Sequence, residues 1–127
     1  EDFVGLLYTV ESDRMTFVLY LAVNDRVRSR GYGAAILSWL KARHPQKERV
    51  LHIEPVSACA DNAAQRIQRF RFYTRCGFYE TGFMVKEKND VYAVLSDSRD
   101  FDAQEYQRLM QKFSFGFYRP VLSKAIR

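Results

Sequence analysis

Residues 28–33, Arg-Ser-Arg-Gly-Tyr-Gly, combine two arginines with two closely spaced glycines. Glycine at positions 31 and 33 allows positive φ and close backbone approach, so successive N–H groups can face one concavity. The dipole of a following helix and the charges of Arg28 and Arg30 would add to the attraction for phosphate. Neither a Gly-Lys-Ser/Thr sequence nor a third glycine follows, which makes ATP and NAD less favoured as ligands. We therefore expect a phosphate-binding turn of another type.

This turn lies between a predicted strand and a predicted helix. Two β-rich runs, residues 3–10 and 16–23, are expected to be neighbouring strands, and strict alternation in the second would put Leu19 and Leu21 on the same face. A helical pattern covers residues 33–43, and residues 50–53 form a short buried run. The two strands that flank the helix are predicted to be parallel through a right-handed crossover.

The rest of the chain predicts further elements of the same domain. Residues 62–75 have a helical pattern that Gly77 ends, and residues 78–85 and 91–95 are typical of an antiparallel hairpin. A last helix over residues 102–113 carries an apolar stripe, and Asp100 or Asp102 could cap it. The tail after this helix is expected to be irregular. We predict one mixed α/β domain.

Composition excludes several other classes of protein. A chain of 127 residues suits one domain, and its net charge of +5 with a pI near 9.4 suits an anionic ligand. We expect no membrane span and no secretion signal, so the cytoplasm is the default location. Cys59 and Cys76 have no His or acidic residue at metal-ligand spacing, so we expect free thiols and no metal site.

Two motifs resemble the GNAT superfamily of N-acetyltransferases. Arg28, Gly31 and Gly33 match the family's coenzyme A loop, which has Arg or Gln, two free positions, Gly, one free position, then Gly or Ala. Residues 72–78, Phe-Tyr-Thr-Arg-Cys-Gly-Phe, resemble its second signature, an aromatic residue and a tyrosine near a helix end, followed by Gly-Phe at the start of a strand. The resemblance covers about residues 3–95, and the two motifs occur in the family's order.

The resemblance implies a GNAT-like fold over residues 1–127, with a core at 1–98 and an added helix and tail at 99–127. The sheet would be mixed and mostly antiparallel, with flanking helices and a parallel central strand pair that splays apart to hold the pantetheine arm of acetyl-CoA. The family has a strand, two helices and a strand before the segment that matches Phe3, so we expect this chain to lack that N-terminal part. The cofactor-binding residues implied are Ala22, Val23, Arg28, Ser29, Arg30, Gly31, Tyr32, Gly33, Ala34 and Asn62. Arg66 stands where the family often has asparagine, and Asn62 lies one turn earlier.

Direct acyl transfer needs a base for the amine and a proton for the departing thiolate. The resemblance places Tyr73 near the sulfur, which favours it as the acid, with a core tyrosine as the alternative. Glu54 follows a buried strand directly before Pro55 and is our candidate base, with a solvated carboxylate or an arginine partner as the alternative. His52 shares its face and is more often structural. Cys76 invites a ping-pong mechanism, but no paired histidine is evident.

We expect an enzyme that transfers acetyl from acetyl-CoA to a primary amine of a small molecule or peptide. The alternative is a non-catalytic module that binds acyl-CoA or RNA, since aromatic residues alternate with arginine in residues 69–73. No groove-reading motif is present, so nucleic acid is not the expected partner. Arg66, Arg69 and Arg75 are either solvated or contact a phosphate. The stripe on the last helix suits the core or a subunit contact, so a homodimer stays open.

Overall fold

The computed structural model describes residues 5–23, 31–113 and 121–124, the last four by their backbone alone. The elements in chain order are β1 (Gly5–Glu11), β2 (Met15–Val23), α1 (Tyr32–Arg43), β3 (Glu48–Ile53), α2 (Ala63–Arg75), β4 (Tyr79–Glu87), β5 (Asp90–Ser96), α3 (Ala103–Phe113) and β6 (Val121–Lys124). The predicted order is confirmed up to α3. The prediction of an irregular tail is wrong for residues 121–124, which form β6.

The strands form one mixed sheet in the order β1-β2-β3-β5-β4-β6. The pair β2–β3 is parallel, with α1 as its crossover, and the other four pairs are antiparallel. β6 pairs with β4 on the side away from β5 and so continues the sheet there. The predicted mixed, mostly antiparallel sheet with a parallel central pair is confirmed.

β2 separates from β3 at a β-bulge. Tyr8 of β1 pairs with Tyr20 and Thr9 pairs with Val18, so Leu19 is an extra residue in β2. The parallel pairing of β2 with β3 also ends at Val18, opposite Leu51, although β2 continues to Val23. A bulge bends its strand and increases the local twist. The two central strands therefore diverge beyond Val18, and we call the gap between them the wedge.

The bulge also reverses the side-chain alternation of β2. Val18 and Leu21 both pack in the cluster under α1 and α2, whereas regular alternation would have put them on opposite faces. Tyr20 instead lies beside its cross-strand partner Tyr8, with ring centroids 6.4 Å apart. The predicted assignment of faces is therefore wrong beyond Leu19, because one extra residue shifts a period of two.

Helices cover both faces of the sheet. α1 and α2 pack on one face, where Leu37, Leu40 and Phe70 meet a buried cluster that contains Leu51. α3 packs on the other face through residues that share one buried cluster with the strands: Met15, Phe17, Val50, Val85, Val94, Tyr106, Leu109 and Met110. The apolar stripe predicted for the core or for a subunit contact includes Phe113, which is 42% exposed. None of the helices within the described ranges is long and apolar enough to cross a membrane.

The ends of the helices follow the local sequence signals. The backbone N–H of Glu105 donates to Asp102 Oδ1 at 3.0 Å, so Asp102 caps α3 and Asp100 does not. α1 ends at His44, the residue before Pro45, as predicted. α2 ends at Cys76 and is followed by Gly77 in the left-handed region at φ 94°.

Candidate active site

A cleft of about 1310 Å³ occupies the wedge. Its walls are the second half of β2, the end of β3, the start of α1 and one side of α2. Of the predicted site residues, eight line this one cleft: Ala22, Val23, Gly31, Tyr32, Gly33, Ala34, Glu54 and Tyr73. Arg28, Ser29 and Arg30 lie outside the described residues. Asn62 is not brought to the cleft wall.

Among the described residues, no side chain caps the start of α1, which opens into the cleft. Gly31 occupies the N-cap position at φ 80°, and its carbonyl accepts from the N–H of Ala35 at 3.0 Å. The first N–H groups of a helix have no partner within it, so those of Tyr32, Gly33 and Ala34 are available to a ligand. No acidic side chain lies in this first turn. The resulting positive end of the helix favours an anion in the cleft.

The two glycines of the turn do different things. A Cβ added to Gly31 would meet no atom within 4 Å, so its positive φ is the reason for glycine there. A Cβ added to Gly33 would lie 3.0 Å from Cζ of Phe72, and Gly33 is within the helix. The expectation of backbone freedom is thus met at Gly31, while Gly33 permits close packing of α1 on α2.

Ala22 and Val23 offer main-chain groups to the wedge. On one side they pair with Leu6 and Gly5 of β1. On the other side, β2 has no strand partner beyond Val18 among the described residues. Buried or half-buried N–H and C=O groups need hydrogen-bond partners. An extended ligand with amide groups can supply them as an added strand would.

Tyr73 lies in the cleft wall near the end of α2. Its ring packs edge-on against Phe72 and Phe78, with centroids 5.1 and 5.8 Å away. Burial raises the pKa of the Tyr73 phenol, and the nearby charge of Arg69 only partly opposes this shift. Within the described part of the chain, no residue hydrogen-bonds to its hydroxyl. The phenol is therefore a protonated donor that is free to meet a ligand.

Cys76 lines the same wall and is a free thiol, as is the exposed Cys59. Burial raises the pKa of the Cys76 thiol, against a smaller lowering by Arg75. A nucleophilic cysteine needs a lowered pKa and a nearby base. The environment of Cys76 is the opposite, so it does not support a covalent acyl-cysteine step.

Glu54 is held by donors from α2. Its Oε1 accepts from Asn62 Nδ2 and Arg69 Nη1, both at 3.0 Å, and its Oε2 accepts from Arg66 Nη2 at 2.9 Å. Arg66 also donates to Asn62 Oδ1 at 2.8 Å and to the Pro55 carbonyl at 3.1 Å. Of the alternatives for Glu54, these contacts favour the arginine partner. They also explain why Asn62 is turned to Glu54.

His52 lies at the opposite side of the cleft, next to α3. Its Nε2 is 2.6 Å from the Tyr106 hydroxyl, and its ring contacts Phe17 edge-on with centroids 4.7 Å apart. Burial lowers the pKa of His52 to about 4. A histidine with this pKa is neutral at physiological pH and is a weak base. The structural role that was the alternative for His52 fits these contacts.

Sequence reasoning missed part of the cleft wall on α2. Gln65, Gln68, Arg69 and Phe72 follow the spacing i, i+3, i+4 and i+7 of one helix face, and all four line the cleft. Three of these residues are polar, and apolar periodicity, which predicts the buried face of a helix, does not reveal a polar cleft wall. Of the three arginines considered, Arg66 and Arg69 pair with Glu54, while Arg69 and Arg75 line the cleft, so a phosphate contact stays a prediction.

Comparison with known proteins gives structural matches alone. No protein-family model matches the chain. No curated protein sequence matches it either. Among solved structures, a GNAT-family protein from Bacteroides thetaiotaomicron superimposes with a TM-score of 0.63 at 23% identity, over 91% of this chain and 68% of that one.

Two other structures agree with this match. An N-acetyltransferase from Staphylococcus aureus has a TM-score of 0.53 at 16% identity, over 68% of this chain and 42% of that one. A GNAT acetyltransferase from Elizabethkingia anophelis with acetyl-CoA bound has a TM-score of 0.55 at 17% identity, over 75% of this chain and 68% of that one. The chain thus spans about two fifths to two thirds of the length of these proteins. The mixed sheet with its wedge is their fold.

The low pKa of His52 makes a prediction for stability. An unfolded histidine has a pKa near 6.5 and His52 about 4, so the unfolded chain binds the proton more readily between these values. We expect the free energy of unfolding to be highest above about pH 6.5 and to fall towards pH 4, with His52 contributing on the order of 3 kcal/mol. Denaturant titrations across this range should show a weaker pH dependence in His52→Gln. The control is His44→Gln; an unchanged dependence in His52→Gln would refute the assignment.

Proposed function

We propose that this chain, which has the GNAT fold, is an acetyltransferase that moves an acetyl group from acetyl-CoA to a primary amine by direct transfer. The observation that carries the proposal is the wedge, where the start of α1 and the Tyr73 phenol face one cleft and neither has a side-chain partner among the described residues. Calorimetric titration with acetyl-CoA, followed by assay of CoA release with a set of amines, tests it. Lack of acetyl-CoA binding would reject it.

The residues around the wedge fit acetyl-CoA in three respects. The free N–H groups at the start of α1 suit a diphosphate. The unpaired edge of β2 at Ala22 and Val23 suits the amides of a pantetheine arm. Arg75 supplies positive charge on the α2 wall for a further phosphate, and Arg69 lies on the same wall, paired with Glu54. Arg28, Ser29 and Arg30 stay sequence-based predictions for the diphosphate contact.

Tyr73 is the group that we propose as the acid. Bound acetyl-CoA supplies an activated thioester to the cleft. The amine nitrogen bonds to the acetyl carbon as the carbon–sulfur bond breaks, and the phenol proton of Tyr73 passes to the departing sulfur. A backbone N–H near Val23 would donate to the carbonyl oxygen as it becomes negative. The amine attacks in its neutral form, and the proton that its nitrogen loses as the amide forms passes through a base or solvent and restores the Tyr73 phenol.

Glu54 is the base predicted from the sequence, but its hydrogen bonds restrict how an amine could reach it. Both carboxylate oxygens already accept hydrogen bonds from Asn62, Arg66 and Arg69. An amine would have to displace one of these donors or use a remaining lone pair. Glu54 also holds the end of β3 against α2, a role that does not need proton transfer.

The RNA-binding alternative loses its main support. Phe70, Phe72 and Tyr73, which alternate with arginine in the sequence, all pack against the cluster under α1 and α2. Rings held in this way leave little surface on which bases could stack. The other alternative is a module that binds acyl-CoA without turnover. Such a module would bind acetyl-CoA as the enzyme does, so only the assay of CoA release distinguishes the two.

Two substitutions of similar size at Gly31 can test whether the start of α1 binds an anion. Asp and Asn both tolerate positive φ and have nearly the same size, so Gly31→Asp and Gly31→Asn differ mainly by one negative charge. We expect the Asp variant to bind acetyl-CoA about tenfold more weakly than the Asn variant, a difference of ~1.4 kcal/mol. Calorimetry measures both. Equal affinities would remove the start of α1 from the diphosphate site.

Replacement of Tyr73 by Phe removes the proton and keeps the ring. We expect kcat to fall by about a hundredfold, which is typical of losing a general acid, with acetyl-CoA affinity nearly unchanged. Steady-state kinetics and calorimetry together give this separation. Tyr79→Phe is the matched control, because Tyr79 contacts Arg99 outside the cleft. Full activity in Tyr73→Phe would exclude the phenol from the reaction.

Glu54→Gln distinguishes a base from an arginine partner. If Glu54 is the base, the rising alkaline limb of the pH–rate profile should be lost. If it is only an arginine partner, the shape of the profile should persist, and the free energy of unfolding should fall by about 1 kcal/mol. Rates across the pH range and denaturant titration decide between the two. The sequence-based prediction is the first result.

A further inference from the structure

The cleft has a second mouth on the α3 side of the sheet. α1 and α2 pack on one face and α3 on the other, yet residues from both sides line the same cleft: Gly33 and Phe72 on the first side, Met110 and Phe113 on the second. Such a cavity has to pass between strands, which the separation of β2 from β3 permits. A ligand can therefore approach the wedge from the face opposite the α1 helix end.

Rings form the wall of this second mouth. The ring of His52 stacks on that of Tyr92, with centroids 6.1 Å apart and planes inclined by 16°. Phe17 contacts the other side of His52, while Met110 and the partly exposed Phe113 contribute from α3. His52 is neutral at physiological pH, as shown above. This part of the wall is mainly aromatic and suits a flat or aliphatic group.

Apolar surface continues outside the mouth along β2. Leu19 and Tyr20 line the cleft and are 49% and 53% exposed, and Tyr8 lies beside Tyr20. Large apolar side chains clustered at the entrance of a cavity are typical of a binding surface. Their position follows from the bulge, which turns Tyr20 to the α3 side.

Negative charge lies at the same mouth. Glu87 pairs directly with Asp90 across the β4–β5 hairpin, and alternation places both on the face of Tyr92. Burial and the carboxylates of Asp90, Glu87 and Glu54 raise the pKa of Tyr92. In the described part of the chain neither Glu87 nor Asp90 has a salt-bridge partner. Two like charges directly opposite each other destabilise a hairpin unless a cation compensates.

The basic residues of the hairpin do not cancel this charge on that face. Lys86 pairs with Val91, one position out of phase with Glu87, so it points to the opposite face. Lys88 lies at the exposed tip of the turn at φ 53°. The side of the cleft next to α1 and α2, by contrast, has Arg75 in its wall, together with Arg69, which is paired with Glu54. The cleft is thus basic where acetyl-CoA would enter and acidic with aromatic walls at the other end.

We infer that the acceptor is a primary amine that is cationic in solution and is attached to an apolar, preferably aromatic, body without a carboxylate. It enters through the second mouth, with its ring against Tyr92 and His52 and its ammonium group drawn past Glu87. This inference rests on the proposed function and specifies its substrate class. Acidic side chains raise the local concentration of such amines and repel anionic ones.

Phenethylamine, ethylamine and phenylalanine test this class with acetyl-CoA as donor. Ethylamine lacks the ring, and phenylalanine adds a carboxylate to it. We expect kcat/KM for phenethylamine to exceed that for each of the others by about tenfold or more, as loss of a buried ring or addition of a repelled charge predicts. Preference for ethylamine or phenylalanine, with acetyl-CoA binding intact, would overturn the substrate class and leave the proposed function standing.

Variants of the second mouth give an independent test. Glu87→Lys should raise KM for phenethylamine by about fivefold, and Tyr92→Ala by about tenfold, while acetyl-CoA affinity stays the same. Tyr92→Phe keeps the ring and should reverse the rise in KM seen in Tyr92→Ala, and Lys86→Gln on the opposite face is the matched control. Unchanged KM in both Glu87→Lys and Tyr92→Ala would overturn the inference.

A direct binding measurement distinguishes failure of the acceptor inference from failure of the proposed function. Saturation-transfer NMR with phenethylamine alone, repeated with Glu87→Lys and Tyr92→Ala, does not depend on turnover. Binding that both variants weaken supports the second mouth, whether or not acetyl-CoA binds. Absence of phenethylamine binding in the presence and absence of CoA overturns the inference, and absence of acetyl-CoA binding overturns the proposed function.

Discussion

The single extra residue at Leu19 is the constraint on which the site depends. Parallel strands would otherwise pair along their whole length, because each unpaired N–H and C=O group has a free-energy cost. The bulge ends this pairing at Val18 and turns β2 away from β3. It also moves Tyr20 to the face of α3 and Leu21 to the face of α1. One insertion thus creates the cavity and sets the character of both its mouths.

Contacts between helices and loops keep the wedge in place, since strand pairing does not. Glu54 joins the end of β3 to α2 through Asn62, Arg66 and Arg69. Phe72 packs against the start of α1 at Gly33, where a larger residue would push the two helices apart. Individual ion pairs with this exposure contribute about 1 kcal/mol or less. The geometry therefore rests on several small contributions that act together, and not on one strong bond.

The sequence predicts the elements of this fold better than it predicts the side-chain partners in its site. Periodicity identified every strand and helix up to α3, and the glycine turn identified Gly31 as a residue with positive φ. The bulge was not predicted because residues 16–23 are mostly apolar on both faces. Polar and apolar residues do not alternate there, so the sequence carries no sign of an extra residue. The contacts of Glu54 were open for another reason: their donors lie 8 to 15 positions away on a helix whose distance from β3 no local pattern encodes. β6 has four residues, which is too few for a reliable pattern.

The two sides of the sheet end differently, and this has a consequence for handling the protein. β6 covers the outer edge of β4, while β1 has a neighbour on one side only in the described chain. Its sequence, Gly-Leu-Leu-Tyr-Thr-Val-Glu, contains neither lysine nor proline, the residues that usually discourage edge pairing. We therefore expect concentrated samples to self-associate by strand addition at β1. A lysine introduced at Leu6 of the same strand, which is 39% exposed, would be the natural choice for improving solubility.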